Sequence, residues 1–251
     1  MNWSSIDRRS VLGGLLRAPL RAIPRSAVLP IMRGPNFGMR WCVGSGDHGC
    51  WLGTYELDKQ RAIWRRRQKG GTALDVGANA GYYTLLLSRA VGPNGKVIAI
   101  EPDTRNAEWI RFHTWINRVR NVDVVLGAAS DRTGTATYSV GRTPTTGRLI
   151  ADGSGEAVSA FALDDLVSAA GSDIPSIVKM DIEGGESAAL AGATRLLAAR
   201  RTTWFVALHS AEQADFCIPL FRRYGYRIAG PDGEELPREY DKTIGEIVAY
   251  A

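Results

Sequence analysis

The stretch Ala73-Leu-Asp-Val-Gly-Ala-Asn-Ala-Gly-Tyr-Tyr-Thr84 decides the fold of this chain. A short apolar run ends at Asp75, a turn with the pattern Gly-x-Asn-x-Gly follows at Gly77–Gly81, and a helical segment comes next. A strand, a tight glycine turn and a helix in this order open a nucleotide-binding βαβ unit. Twenty residues past the turn, the apolar run Lys96–Ile100 ends in Glu101. An acid at the end of the second strand can accept hydrogen bonds from ribose hydroxyls.

The glycine turn lacks the phosphate-binding patterns of other nucleotide sites. It matches neither Gly-x-Gly-x-x-Gly nor Gly-x-x-x-x-Gly-Lys-Ser/Thr. It offers instead a carboxylate, Asp75, and an amide, Asn79, which suit a cationic ligand without phosphates. S-adenosylmethionine carries a sulfonium, an ammonium group and an adenosine, so the turn is interpreted as its binding site. The alternative is a generic glycine turn in an α/β protein.

Strands and helices alternate through the chain, which predicts a Rossmann-like α/β fold with a mostly parallel seven-stranded sheet covered by helices on both faces. The predicted strands are Thr72–Val76, Lys96–Ile100, Val122–Leu126, Ser176–Met180, Thr203–Leu208, Tyr226–Ile228 and Ile244–Ala249. An Ala-rich segment, Glu186–Ala199, predicts one continuous helix. The segment Gly141–Ala157 is rich in Gly, Thr and Ser without periodicity, and it predicts an irregular loop.

Several segments together resemble the FkbM family of class I S-adenosylmethionine-dependent methyltransferases. They are Gly53-Thr-Tyr-Glu56, Asp75–Thr84, Val91–Pro102, Leu163-Asp-Asp-Leu166 and Val178-Lys-Met-Asp-Ile-Glu-Gly-Gly-Glu186. The resemblance implies O-methyl transfer to a small molecule or glycan. In this family the fifth strand often ends in Glu-x-His, and this chain has Ala207-Leu-His209 there.

Nine residues are expected to bind the cofactor, because they lie in the glycine turn or at the ends of the second and fourth strands. They are Asp75, Gly77, Asn79, Gly81, Tyr83, Thr84, Glu101, Pro102 and Asp181.

Catalysis requires removal of a proton from the attacking hydroxyl, either by a general base or with the help of a metal ion. His209 is the leading base, because it is the histidine that falls at a predicted strand end and its ordinary pKa suits proton removal near neutrality. Asp181 is the rival base. Glu183 is the third catalytic candidate, although it could instead stabilise the start of the following helix. A divalent ion held by these three side chains is the less favoured alternative.

The acceptor is expected to be a hydroxyl of a sugar or polyketide type. The fourth strand is not followed by the Asn/Asp-Pro-Pro-aromatic turn of methyltransferases that act on exocyclic amines. A net charge of +5 keeps a nucleic-acid methyltransferase as an alternative, but the aromatic residues are not interleaved with basic ones as a nucleic-acid surface requires. The lost Glu before His209 leaves a non-catalytic cofactor-binding module as another alternative.

The chain is expected to consist of a basic N-terminal extension, residues 1–52, and a methyltransferase domain, residues 53–251. Residues 1–33 carry six Arg and one Asp. This segment could be a solvated arm, a peripheral membrane contact or an arm for an acidic acceptor, and it is expected to be dispensable for the core fold.

A cytoplasmic location is expected. The chain has no apolar run of 18 residues, arginines interrupt the segment behind a faint twin-arginine pattern, and the three cysteines form no disulfide framework. Cys42, His48 and Cys50 are spaced too irregularly to predict a zinc site. The sequence does not indicate an oligomeric state.

Overall fold

The computed structural model describes Leu20 and residues 22–139, 147–150, 155–237, 239 and 245–251, with Arg148 described by its backbone alone. The elements in chain order are β1 (Val28–Pro30), β2 (Arg40–Cys42), α1 (His48–Leu52), α2 (Leu57–Arg65), β3 (Thr72–Val76), α3 (Tyr82–Val91), β4 (Lys96–Glu101), α4 (Thr104–Ile116), β5 (Val122–Leu126), β6 (Ala128–Ser130), β7 (Gly134–Ser139), β8 (Arg148–Ile150), β9 (Glu156–Ala162), α5 (Leu163–Ala169), β10 (Ile177–Met180), α6 (Glu186–Ala191), α7 (Thr194–Ala199), β11 (Thr203–Ala207), α8 (Ala211–Arg223), β12 (Arg227–Ala229) and β13 (Glu246–Tyr250).

Within these described ranges, seven strands form the main sheet in the order β12-β13-β11-β10-β3-β4-β5. Strand β13 runs antiparallel to both of its neighbours, and the pairs from β11 to β5 are parallel. The Rossmann-like fold is therefore confirmed. The chain order reverses between β3 and β10, so the crevice beyond their carboxyl ends is where an open α/β sheet binds its ligands.

The central strands are apolar on both faces, because helices cover the sheet on both sides. Every residue of β3 is buried. One face packs against helices α5 to α8 through side chains such as Leu74, Ile98, Met180 and Trp204. The other face packs against α2 and α3 through Ala73, Val97 and Phe205. In the described part of the chain, no helix has the length and apolarity needed to cross a bilayer.

The segment expected to be one helix, Glu186–Ala199, is two helices, α6 and α7, separated at Gly192 and Ala193. Gly192 passes close to β6, and a Cβ atom there would lie 2.2 Å from the Ser130 carbonyl oxygen. The Asp164 carboxylate accepts hydrogen bonds from the backbone N–H groups of Arg195 and Leu196, which satisfies the start of α7. Tertiary contacts therefore break a segment whose composition favours a continuous helix.

The expected irregular loop, Gly141–Ala157, contains regular structure. Residues 148–150 form β8, and β9 begins at Glu156. Strand β8 pairs with β7 in a second sheet of order β6-β9-β7-β8, with Tyr138 opposite Leu149. The remaining positions of that segment, residues 141–146 and 151–154, lie outside the described residues.

The described part of the N-terminal segment packs on the domain. Strands β1 and β2 form a hairpin, and Ile31 and Trp41 are buried with Tyr82 of α3. The expectation that the first 33 residues are dispensable is therefore wrong for the stretch that includes Ile31. The interpretations of the arm as a membrane contact or an acceptor arm concern mainly residues 1–19, which lie outside the described residues.

His113 connects the N-terminal segment to the glycine turn through hydrogen bonds and ring stacking. Its ring stacks on Trp41 with 3.9 Å between the ring centroids. Its Nδ1 lies 2.8 Å from the Ala80 carbonyl oxygen, and its Nε2 accepts the backbone N–H of Cys42 at 3.2 Å. Burial lowers the pKa of His113 to about 4, so the ring is neutral at physiological pH.

Replacing Ile31 by Ala should lower the free energy of unfolding by about 2–4 kcal/mol, because its fully buried side chain leaves a cavity. The neighbouring Met32 is exposed, so Met32→Ala is the matched control and should change stability by less than about 0.5 kcal/mol. Urea denaturation of both variants measures the difference. Equal stability of the two variants would show that this segment is not part of the core.

Candidate active site

The crevice between β3 and β10 is narrow because Gly77 lies directly against the end of β10. Gly77 has φ of +75°, and a Cβ atom there would lie 2.0 Å from the Asp181 carbonyl oxygen. A side chain at position 77 would therefore force the two strand ends apart. The glycine requirement of the first turn is a requirement for this close approach.

A first cavity opens beside this contact, with about 580 Å³ of empty space including its mouth. The predicted cofactor residues that line it are Gly77, Asn79, Glu101, Pro102 and Asp181. Glu183 and Tyr138 also line it. Tyr138 comes from β7 of the second sheet, and it could not be identified as a site residue from the sequence because that sheet is not part of the βαβ pattern.

Glu101 is fixed at the floor of the first cavity. Its Oε2 accepts the Asn79 backbone N–H at 2.7 Å, and its Oε1 accepts from the Asp103 N–H at 3.0 Å and the Asn106 side chain at 3.3 Å. Burial raises the pKa of Glu101, although these hydrogen bonds oppose the rise. A carboxylate oxygen can accept more than one hydrogen bond, so Glu101 keeps capacity for a ligand hydroxyl.

Asp75 does not face the cavity. It has no exposed surface. Its Oδ1 lies 3.3 Å from the Lys179 ammonium, and its Oδ2 accepts the Thr84 hydroxyl at 2.7 Å. This contradicts the expectation that Asp75 and Thr84 contact the cofactor, because Lys179 already neutralises the carboxylate and both side chains are buried. Through these contacts Asp75 and Thr84 instead connect β3, α3 and β10.

Gly81 and Tyr83 are also absent from the described lining of the first cavity. Gly81 begins helix α3 with φ of +89°. Tyr83 is buried, and its hydroxyl donates to Glu56 at 2.7 Å on the side of the second cavity described below. The cofactor contacts expected of Gly81 and Tyr83 therefore remain predictions, and the structure shows both residues next to the cavities in supporting positions.

The three catalytic candidates lie together at the carboxyl ends of β10 and β11. His209 Nε2 is 3.3 Å from Asp181 Oδ1 and 3.7 Å from Glu183 Oε2. One nitrogen or oxygen atom of each side chain lies within 4.8 Å of those of the other two. Glu183 has φ of +55°, a conformation that is rare for a residue with a side chain.

Glu186 is a fourth member of this cluster that the sequence analysis missed. Its Oε1 is 2.7 Å from His209 Nδ1 and also accepts the backbone N–H of Gly184 at 3.2 Å. The side chain is fully buried at the start of α6. The only sequence signal was a second acid three residues after Glu183, and nothing in the spacing pairs it with a histidine 23 residues further on.

The carboxylates on both sides of His209 control its charge. Hydrogen bonds to Asp181 and Glu186 raise the pKa of His209 to about 10. Burial would raise the pKa of Asp181, but hydrogen bonding from His209 and the charges of Lys179 and Lys59 hold it well below its usual range. An imidazolium has no lone pair for an acceptor proton, so the role of His209 as general base, which remains a prediction, would require the ring to lose its proton first.

Cys42, His48 and Cys50, which are close together in the sequence, each have a separate structural environment. His48 Nδ1 accepts the Trp51 indole N–H at 3.0 Å. The Cys42 thiol donates to the Arg25 carbonyl oxygen at 3.4 Å, and Cys50 is buried. Each of these residues therefore has a structural position within the N-terminal segment.

A second cavity adjoins the first and lies between the N-terminal segment and the strand ends. Its lining includes Tyr55, Glu56, Lys59, His209 and Glu246. Gly77, Asn79, Asp181 and Glu183 line both cavities. The two spaces therefore meet at the proposed catalytic side chains.

Ala207 stands where the resembled family often has Glu, and a carboxylate is present in the neighbouring strand. Ala207 pairs across the sheet with Glu246 of β13. Glu246 contacts the buried ammonium of Lys59 at 2.5 Å. Neither Lys59 nor Glu246 could be identified as a site residue from the sequence, because each is brought to the site by an element outside the glycine-turn pattern.

The chain is similar to solved structures of methyltransferases. The methyltransferase FkbM from Methylobacillus flagellatus is 21% identical with a TM-score of 0.53, and the match covers 73% of this chain and 44% of that one. The precorrin-6y C5,15-methyltransferase from Geobacter metallireducens is 16% identical with a TM-score of 0.48, over 77% of this chain and 88% of that one. No curated protein sequence matches this chain.

The family model for the methyltransferase FkbM domain matches residues 75–228. This range is more than half of the chain, and it contains both strand ends that form the crevice. The chain belongs to the FkbM methyltransferase family.

Proposed function

We propose that this protein transfers the methyl group of S-adenosylmethionine to a hydroxyl oxygen of a small molecule or glycan. The observation that carries this proposal is the wall shared by the two cavities at Gly77, Asn79, Asp181 and Glu183. Methyl transfer is an in-line displacement, so the donor and the acceptor must meet with the methyl group between them. Two adjoining cavities with ionisable side chains at their junction provide that arrangement.

The first cavity suits the cofactor. Glu101 lies at its floor with fixed carboxylate oxygens that can accept from ribose hydroxyls. Asn79, Pro102 and Asp181 complete the set of cofactor residues that we retain from the sequence.

Oxygen is the proposed nucleophile because of the chain that follows β10. It reads Asp181-Ile-Glu-Gly-Gly185 and lacks the prolines and aromatic ring that hold an exocyclic amine. A hydroxyl needs help to lose its proton. Both nitrogens of His209 already face carboxylates, so His209 is better placed to organise the junction than to accept that proton.

We propose that Asp181, Glu183 and His209 hold a divalent cation. The cation would take the place of the proton on His209 Nε2, so that one imidazole nitrogen and two carboxylate oxygens, which lie 3.3 and 3.7 Å from that nitrogen, would form a suitable ligand set. Glu186 holds the other ring nitrogen at 2.7 Å, an arrangement that orients metal-binding histidines. A bound cation would lower the pKa of a nearby hydroxyl.

Asp181 acting alone as the base is the alternative mechanism. It is favoured by its place in the wall of both cavities.

For the reaction itself we propose the cytoplasm, where S-adenosylmethionine is a common metabolite.

The substitution Glu101→Gln should weaken binding of S-adenosylmethionine by about 1–2 kcal/mol, the loss expected for a hydrogen bond to a charged group. Glu108→Gln is the matched control, because Glu108 is exposed on α4. Isothermal titration calorimetry measures both affinities. Unchanged binding in Glu101→Gln would remove this carboxylate from the cofactor site.

Metal removal tests the mechanism. Treatment with EDTA should abolish methyl transfer to an identified acceptor, and Mg²⁺ or Mn²⁺ should restore it. Asp181→Asn and His209→Ala should each remove Mn²⁺ binding in calorimetry and lower kcat by about 10²–10⁴-fold, whereas His48→Ala should leave both unchanged. An EDTA-resistant enzyme that Asp181→Asn inactivates and His209→Ala does not would instead identify Asp181 as the base.

A further inference from the structure

The second cavity has an unusual distribution of charge: its lysines are buried beneath carboxylates. Lys59 and Lys179 line the cavity, but their side chains are only 3% and 5% exposed. The side chains of Glu56 and Glu246 are 36% and 21% exposed. A molecule that enters the cavity therefore meets carboxylate oxygens before it meets ammonium groups.

Lys59 fixes these carboxylates in place. Its ammonium lies 2.8 Å from Glu56 Oε2, 2.5 Å from Glu246 Oε1 and 3.8 Å from Asp181 Oδ2. Burial alone would lower the pKa of Lys59, but the charges of these carboxylates raise it above its usual value. One permanently charged ammonium thus ties α2, the end of β10 and β13 together.

Each carboxylate keeps an oxygen for a ligand. Both described partners of Glu56, Lys59 and the Tyr83 hydroxyl, contact Oε2. The described ion-pair partner of Glu246 contacts Oε1. Among the described residues, Glu56 Oε1 and Glu246 Oε2 have no such partner. These two oxygens are held by a rigid base, which reduces the entropy lost when a ligand binds them.

We propose that Glu56 and Glu246 form the acceptor-binding subsite and that it takes a neutral polyhydroxylated group, namely a sugar ring. This inference rests on the proposed methyl transfer and names the acceptor class for it. Two neighbouring carboxylates accept hydrogen bonds from neighbouring hydroxyls, and such charge-assisted bonds are stronger than neutral ones. Tyr55 is half-buried in the same cavity and offers an aromatic ring beside them.

The same carboxylates disfavour anionic acceptors. A phosphate about 5 Å from one carboxylate would bind on the order of 10²-fold more weakly at the effective dielectric of a protein surface. The more exposed cations that line the cavity are His209 and Arg25. His209 is matched by Asp181 and Glu186, and the Arg25 guanidinium donates to the Gly44 carbonyl oxygen at 3.3 Å. At Glu56 and Glu246, which are not among the proposed cation ligands, a sugar phosphate or a nucleic acid should therefore bind more weakly than a neutral sugar.

The test is a methyl-transfer assay by mass spectrometry with S-adenosylmethionine and two sets of acceptors. The first set contains the methyl glycosides of glucose, galactose, mannose, rhamnose and fucose. The second contains phosphate esters of these sugars and the uronic acids of glucose, galactose and mannose. We expect a 14-dalton gain on at least one neutral glycoside, with kcat/KM at least tenfold above that for any anionic counterpart.

The variants Glu56→Gln and Glu246→Gln then test the subsite itself. Each should raise the KM for the neutral glycoside about tenfold or more, while kcat and the affinity for S-adenosylmethionine stay within about twofold. Glu108→Gln, exposed and remote in the sequence, should change none of these values. A rise in KM with unchanged kcat distinguishes acceptor binding from a purely structural role, which would reduce kcat and cofactor affinity as well.

The outcomes separate this inference from the proposed function. An anionic acceptor that is methylated better, or Gln variants with an unchanged KM, would overturn the sugar subsite and leave methyl transfer intact. Binding of S-adenosylmethionine with no transfer to any neutral glycoside would overturn it as well. Failure to bind S-adenosylmethionine at all would overturn the proposed function together with the subsite.

Discussion

The buried ion pair between Lys179 and Asp75 is the interaction on which the crevice depends. The two residues are direct neighbours across β10 and β3, and both side chains are almost fully removed from water. The same ammonium donates to the Gly77 carbonyl oxygen at 2.8 Å and so also holds the glycine turn. Removing one member of such a pair leaves an uncompensated buried charge, which typically costs 3–5 kcal/mol. The turn that forms the cofactor cavity is thus fixed by charge as well as by its glycine.

Ion pairs also hold the side chains in place where the two cavities meet. Lys59 and His209 each lie between acids from different elements. Glu186 and Asp181 hold the two nitrogens of His209, and Lys59 joins Asp181 to Glu246. Asp181 therefore belongs to both groups, and it lines both cavities. A side chain with so many charged partners has a defined position, which is what an in-line displacement requires.

Much of the scaffold could be predicted from the sequence, because its signals are local. The bounds of β3 and α3 follow from one apolar run, one glycine turn and one helical segment, and the structure has them at the predicted residues. The break at Gly192 and the strand β8 could not be predicted, because they depend on contacts with distant strands. Local composition favours a continuous helix in the first case and a loop in the second.

The difference between local signals and contacts to distant elements also explains which site residues were predicted. Glu101, Asp181, Glu183 and His209 follow strands, and parallel strands that end at one edge bring such residues together. The orientation of Asp75 was not predictable from its position, because its ion-pair partner lies 104 residues further along the chain. Glu186, Lys59 and Glu246 were missed for a related reason: each takes its role from a partner in another element.

The neutral ring of His113 has a consequence for how the two sites are coupled. It bonds the glycine turn on one side and the N-terminal segment on the other, and Trp41 lies flat against it. The segment that lines the second cavity is therefore anchored to the turn that lines the first. If the proposed methyl transfer takes place between the two cavities, changes in the wall of the second cavity that preserve this anchor should alter the choice of acceptor without altering the distance between methyl donor and acceptor.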